Sequence, residues 1–237
     1  MIDGRMLTRA LLPWAMILML AGCGETAAPP QERSSHEAQA PREVPRPVGE
    51  ERLILAFGDS LYAGYGVDKS EALPAQLENR LRRAGINATL VGGGVSGDTS
   101  AAGLQRLAFT LDNMARRPDL VILGLGGNDA LRQISPDETR ANMTAMMDEL
   151  KRRDIPVFLT GMLAPPNLGP DYAKAFEPIW PELAKRDDAL LYPFILEGVI
   201  TDRSLMQRDG IHPNAKGIAR MADGIAPMVE SYFSTRQ

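Results

Sequence analysis

The sequence predicts an α/β domain, a parallel β-sheet covered by helices on both faces. Its apolar runs at residues 53–57, 88–91, 120–123, 157–159 and 190–192 are continuous rather than alternating, as in strands buried on both sides. Amphipathic stretches at helical spacing separate them. Polar or glycine-rich clusters follow the first three runs, and a loop at 164–170 rich in proline and glycine follows the fourth. In an open α/β sheet ligands bind at the carboxyl ends of the strands, so the chemically suspicious residues all belong to one edge.

The first 50 residues precede that domain. Arg5 and Arg9 lead into an apolar stretch at about 11–21 that ends in Leu20-Ala21-Gly22-Cys23. A charged start, a short apolar middle and small residues at the end are the pattern of a secretory signal peptide. A membrane span needs about 20 apolar residues, more than this stretch has. The Leu-Ala-Gly-Cys ending resembles the lipobox of bacterial lipoproteins. That resemblance implies cleavage after residue 22 and a diacylglyceryl group on the Cys23 thiol. Gly24 stands where an aspartate would resemble an inner-membrane retention signal, so the expectation is the outer membrane, in a cell that has two. Residues 23–50 carry Pro29, Pro30, Pro41, Pro45 and Pro47 among Ser, Glu, Arg, Gln and Ala. Such a segment has too little apolar surface to offset the entropy of ordering and reads as a disordered tether. It would span roughly 30 Å as a coil and up to ~80 Å in polyproline II.

Residues 51–237 form the predicted domain, and a hydrophobic content of 44% is enough for its core. After the opening strand, Leu73, Leu77 and Leu81 recur at helical spacing, with Ser70 as candidate cap and Pro74 in the first turn. The run at 88–91 leads into Gly92-Gly93-Gly94, and Leu104, Leu107, Leu111 and Met114 form a second helical stripe. Ser135-Pro136-Asp137-Glu138 has the form of a capping box with proline at the first helical position, ahead of a stripe of Met143, Met146, Met147 and Leu150. One helix is expected at about 172–185, and a last one is striped by Ile218, Met221, Ile225 and Met228.

Bulk numbers exclude several functions. A net charge of −4 gives no electrostatic reason to expect nucleic acid. One cysteine allows no intrachain disulfide. Of two histidines, His36 lies in the tether and only His212 in the domain, so a histidine-rich metal site is not expected, and the serine chemistry expected of the domain needs no organic cofactor.

Acyl transfer by serine needs a nucleophile, a base, a group to orient the base, and oxyanion donors. Ser60 ends the strand-turn Phe57-Gly58-Asp59-Ser60. His212, in Asp209-Gly210-Ile211-His212-Pro213, is the candidate base. An aspartate three residues earlier can fold back onto its Nδ1, leaving Nε2 for the serine proton. The Ser60 N–H, Gly97 and the Asn128 amide are candidate oxyanion donors, while Asp59, Asp98 and Asp129 read as hydrogen-bonding supports.

Together, Gly58-Asp59-Ser60-Leu61, Gly97 within Ser-Gly-Asp-Thr, Gly126-Gly127-Asn128-Asp129 and the Asp209-to-Pro213 segment resemble the four blocks of the GDSL or SGNH hydrolase family. They occur in order, and the resemblance runs from about residue 51 to the C-terminus. It implies a three-layer, flavodoxin-like fold with five parallel strands. It also implies a Ser60, Asp209, His212 triad and an oxyanion hole of Ser60, Gly97 and Asn128. The Gly-x-Ser-x-Gly elbow of the α/β-hydrolases is absent. Within the family the blocks look most like the TesA-type branch of arylesterases, acyl-CoA thioesterases and lysophospholipases. Its substrate loops resemble 129–136 and 162–172 here, so Leu131, Ile134, Leu163, Ala164, Pro165 and Leu168 are expected to line an acyl groove. Leu163 stands where thioesterase relatives carry a basic residue, which weakens the case for selecting a charged head group. The expected function is therefore an envelope serine esterase acting on carboxylic esters or thioesters, bound to membrane through Cys23. A carbohydrate O-acetylesterase and a non-catalytic binding lipoprotein are the rival expectations.

Overall fold

The computed structural model describes residues 44–235. The expected signal peptide, Cys23, His36 and most of the expected tether lie outside the described residues. Residues 44–50 carry no helix or strand.

The domain then alternates strand and helix. β1 (Arg52–Gly58) turns into the short α1 (Ser60–Ala63), followed by α2 (Leu73–Arg83) and β2 (Ala88–Gly94). Next come α3 (Ser100–Asp112), β3 (Leu120–Gly124), α4 (Gly127–Leu131), α5 (Pro136–Arg152) and β4 (Val157–Thr160). The chain ends with α6 (Gly169–Phe176), α7 (Ile179–Asp187), β5 (Leu190–Tyr192) and α8 (Ala215–Ser234). All five strands are parallel, in the order β2-β1-β3-β4-β5. That is the doubly wound, flavodoxin-like order, whose direction of winding reverses between β1 and β3. Gly58 pairs with Gly124 at the carboxyl end of that junction, so the loops leaving β1 and β3 flank one crevice.

Alternate residues of each strand face opposite layers. Ile54, Ala56, Leu120, Ile122 and Phe158 pack with Leu73, Leu77 and Leu81 of α2 and with Ile218, Met221, Ile225 and Val229 of α8. Leu55, Phe57, Val121, Leu123 and Leu159 pack against Leu107 and Leu111 of α3, Met143, Met146, Met147 and Leu150 of α5, and Trp180 of α7. Each fully buried Leu, Ile or Met contributes roughly 1.5–3 kcal/mol relative to exposure. The predicted stripes are thus mostly the buried faces; Leu104 and Met228 are only partly buried, as is Met114, which lies beyond the end of α3.

Local chemistry sets the helix ends. Ser135 caps α5 by accepting from the Asp137 N–H, with Pro136 at the first position. Asn214 caps α8, its carboxamide oxygen accepting from the Lys216 and Gly217 N–H groups. Ser70 does not cap α2; Ala72 precedes that helix with no side-chain cap, and the Ser70 carbonyl accepts from Gln76 instead.

Two other expectations are corrected. The single helix at 172–185 is two helices, α6 and α7, separated at Glu177 and Pro178. Pro178 has no N–H to donate backward, and its ring obstructs the carbonyl one turn earlier. The Gly92-Gly93-Gly94 run does not follow the second strand but belongs to it, as the end of β2. A side chain at Gly94 would sit 2.3 Å from the Ala63 N and 2.5 Å from the Tyr62 carbonyl carbon. Glycine there lets α1 lie directly on the sheet.

Candidate active site

Ser60 is the first residue of α1, and the Asp59 carboxylate caps that helix by accepting from the Leu61 N–H at 3.0 Å. Tyr62 pins the helix from below, its hydroxyl 2.7 Å from Thr160 Oγ1 at the end of β4. The serine is thereby fixed at the carboxyl edge, mostly buried.

His212 approaches from the segment before α8. Met206 bridges Pro213, and the Gln207 N–H donates to the His212 carbonyl at 2.7 Å. Asp209 folds back as its spacing predicts. Its Oδ1 accepts from the Ile211 and His212 N–H groups, each at 3.0 Å, and its Oδ2 lies 2.7 Å from His212 Nδ1. The imidazole hydrogen bond first, and then the two backbone donors, pull the Asp209 carboxyl down to about 2. An ionised carboxylate only accepts, so Nδ1 carries the hydrogen and Nε2 presents a lone pair. That lone pair faces Ser60 Oγ at 2.8 Å.

Gly97 lies in the turn between β2 and α3 with φ +86°, a conformation that favours glycine. No described residue accepts its N–H. Asn128 stands in α4, and its Nδ2 donates to the Asp98 carbonyl at 3.0 Å while lying 3.5 Å from Asp59 Oδ2. The three supporting aspartates do hydrogen-bond locally. Asp98 accepts from Arg106 Nε at 2.5 Å, and that guanidinium also donates to the Gly58 carbonyl and lies over the Phe57 ring. Asp129 is fully buried and accepts from the Ser100 N–H and hydroxyl and from the Thr139 hydroxyl, joining α4 to α3 and α5.

Asp59 is the unusual carboxyl. Burial lifts it from 3.8 to about 6, against the Leu61 N–H and the nearby His212, which favour the charge. Its folded value lies above its unfolded one, so the stability it contributes is whole below about pH 3.8 and lost as pH rises through about 6. The charged form then costs on the order of 2–3 kcal/mol as an upper bound. Asp59→Asn, which keeps an acceptor for Leu61, should therefore raise Tm at pH 8 and lose that advantage near pH 3.5. Scanning calorimetry at both pH values checks this; a gain equal at both would sink the burial account.

The expected groove residues are more scattered. Leu131 ends α4, three residues after Asn128, and is about half exposed; Leu163 is 43% exposed after β4. Ile134 is half-buried and its carbonyl accepts from the Tyr172 hydroxyl at 2.8 Å. The Ala164 N–H donates to Glu177 at 3.3 Å, and Ala164 and Leu168 pack in part against the α3–α5–α7 core. Pro165, half-buried, precedes the turn that holds Leu168. Two recesses of about 480 and 500 Å³ lie instead around the amino ends of the strands, near Lys151 and Asp187 and near Arg52 and Phe233. Neither includes a residue of the serine–histidine line, which sits in the carboxyl-edge crevice.

Sequence reasoning missed two neighbours of that line. The Tyr65 ring lies on the His212 imidazole, centroids 4.4 Å apart, and Gln207 bridges the Tyr65 and Pro213 carbonyls. Arg132 Nη2 donates to the Gly97 carbonyl at 2.7 Å. Arg132 could have been suspected, since it follows Asn128 by one helical turn; Tyr65 carried no such signal.

Residues 56–220 match the GDSL-like lipase/acylhydrolase family. The chain is 37% identical over 179 residues to the esterase TesA of Pseudomonas aeruginosa, covering 76% of this chain and 88% of that protein. It is also 37% identical over 177 residues to thioesterase 1/protease 1/lysophospholipase L1 of Escherichia coli, covering 75% and 83% of the two chains. Among solved structures, AlinE4, an SGNH-hydrolase family esterase, superposes with a TM-score of 0.67 at 51% identity, covering 78% of this chain and 98% of its own. With the family match over most of the domain and relatives of this closeness, the chain belongs to the GDSL-like lipase/acylhydrolase family.

Proposed function

We propose that this serine esterase works through an acyl-enzyme on Ser60. Oγ attacks the carbonyl carbon of an ester or thioester while His212 Nε2 takes its proton. Asp209 holds the imidazole in the Nδ1–H tautomer and faces the imidazolium as it forms. The carbonyl oxygen, now negative, is met by the Ser60 and Gly97 N–H groups and the Asn128 amide. His212 returns the proton to the leaving alcohol or thiol, then activates water to release the acid. No step calls for a metal or organic cofactor.

One observation carries this reading: the line Ser60 Oγ, His212 Nε2, His212 Nδ1, Asp209 Oδ2, with 2.8 and 2.7 Å contacts and an ionised end. Variants of AlinE4 with a serine and with an aspartate replaced by alanine are also solved, and those two positions are separated by the interval between Ser60 and Asp209. The names of the relatives point to aryl, lysophospholipid or acyl-thioester substrates, and the exposed Leu131 and Leu163 give an acyl chain apolar contact.

A panel of p-nitrophenyl esters tests the reading, with activity expected to rise from acetyl toward medium or long chains. Activity confined to acetyl would favour a carbohydrate O-acetylesterase. No activity, together with no labelling by a fluorophosphonate serine probe, would leave a non-catalytic binding lipoprotein.

The location rests on the leader. Cys23, modified with diacylglycerol and followed by the proline-rich tether, would hold the domain at the cell envelope, on the periplasmic side of an outer membrane where one exists. Two or more acyl chains, at about 0.8 kcal/mol per buried CH₂, make such anchoring stable. Radiolabelled fatty acid should be incorporated by the natural chain and not by Cys23→Ser; equal labelling of both would overturn it.

A further inference from the structure

Gly97 is asked to aim its N–H at a developing oxyanion, yet it is the residue type with the freest backbone. Its φ of +86° lies in the left-handed region, and a β-carbon there would meet only Arg132 Nη2, at 3.5 Å. Something else must hold it. The acceptors that follow the Gly97 N–H are each taken from outside the turn. Arg132 Nη2 donates to the Gly97 carbonyl at 2.7 Å, Asn128 Nδ2 to the Asp98 carbonyl at 3.0 Å, and Arg106 Nε to the Asp98 carboxylate at 2.5 Å. Within the turn the Asp98 N–H donates to the Val95 carbonyl at 3.2 Å. Arg132 itself is fixed through α4, where its N–H donates to the Asn128 carbonyl at 3.0 Å. Asn128 in α4 and the guanidinium that grips Gly97, on the residue just past its end, are thus carried by one short segment.

We propose that Arg132 is a positioning residue of the oxyanion hole: by holding the Gly97 carbonyl it fixes the direction of the Gly97 N–H relative to the Asn128 amide. The inference rests on the esterase reading above and deepens it. Arg132 reacts with nothing. Its hydrogen bond holds the peptide on the carbonyl side of the Gly97 α-carbon, which restricts the backbone rotations that would swing the N–H away, so the donor is in place before charge develops. The arginine is exposed and takes part in no ion pair among the described residues, so its removal leaves no buried charge unpaired.

The test is Arg132→Met in the full chain, assayed on the neutral substrate p-nitrophenyl butyrate. Loss of a whole oxyanion donor lowers kcat by about 10²–10³-fold, so loosening one should lower it by about 10–100-fold. KM should stay within about twofold, because ground-state binding does not use the oxyanion donors. Circular dichroism and Tm should match the natural chain. In a Gly97→Ala background, where the strained backbone has already displaced the donor, Arg132→Met should cost less than about twofold more. A kcat within about twofold of the natural chain would overturn the inference. So would a loss confined to KM, which would mark Arg132 as a substrate contact, or losses that multiply in the double variant. Should Gly97→Ala not fold, the split between kcat and KM decides alone. An inactive natural chain would overturn the esterase reading itself, an outcome distinct from all of these.

Discussion

Ser60→Ala should lower kcat by about 10⁴–10⁶-fold without unfolding the protein. The Ser60 hydroxyl has one described partner, His212 Nε2 at 2.8 Å, so the alanine variant gives up a single hydrogen bond. The partner left behind belongs to a histidine whose side chain is 18% exposed rather than sealed in the core. The Asp59 cap on the Leu61 N–H and the Tyr62–Thr160 contact that hold α1 do not involve the hydroxyl. Tm should therefore fall by no more than a few degrees. The Ser60 N–H, Gly97 and Asn128 remain, so some rate above that of water should survive, as it does in other serine hydrolases stripped of the nucleophile. His212→Ala should be equally severe, and the double variant barely worse, because the two groups act as one unit. Single-turnover kinetics would show it as a missing acyl-enzyme burst. A Ser60→Ala protein with near-full activity would end the mechanism.

The sequence carried the fold because its signals were local. Continuous apolar runs do not survive as exposed strands, so five of them with amphipathic stretches between left little but a covered parallel sheet. The serine–histidine–aspartate line was legible because His212 is the one histidine of the domain and Asp209 stands at the spacing of a turn. What stayed hidden depends on contacts distant in sequence. Glycines 92 to 94 read as a cluster beyond the strand until α1, which ends 31 residues before Gly94, is seen lying on it. Helices α1 and α4 have four and five residues, too few to show a 3.6-residue period. The break between α6 and α7 could have been read from Pro178, and was obscured by the apolar residues that continue on either side. Tyr65 on His212 is a tertiary meeting with no sequence pattern of its own, and Arg132 on Gly97 left only its one-turn spacing from Asn128 as a clue. The groove is the least legible part, because Ala164 and Leu168 give part of their surface to the core.

Asp209→Asn should cost about 10⁴-fold in kcat, by a different route from Ser60→Ala. The carboxamide is isosteric and its oxygen can still accept from the Ile211 and His212 N–H groups, so the turn should persist. Its NH₂, however, would then face His212 Nδ1 at the place where Oδ2 now accepts. An amide donor there forces the hydrogen onto Nε2, and Nε2 would point an N–H at Ser60 Oγ where a lone pair is required. The base is present, in place and in the wrong tautomer. In the natural chain this carboxyl is held at about 2, below its unfolded value. Its stabilising contribution is present above the unfolded value and lost only as pH falls through about 2. Water screens that contribution, since the side chain is 37% exposed. The acid limb of kcat/KM should consequently not follow Asp209 between pH 4 and 8, and its position belongs to the remaining groups of the site. Tautomer reversal makes a sharper claim than loss of charge: ¹⁵N chemical shifts of the His212 ring should exchange between Nδ1 and Nε2 in Asp209→Asn. Full activity with the natural tautomer retained would show that Asp209 does not orient the base.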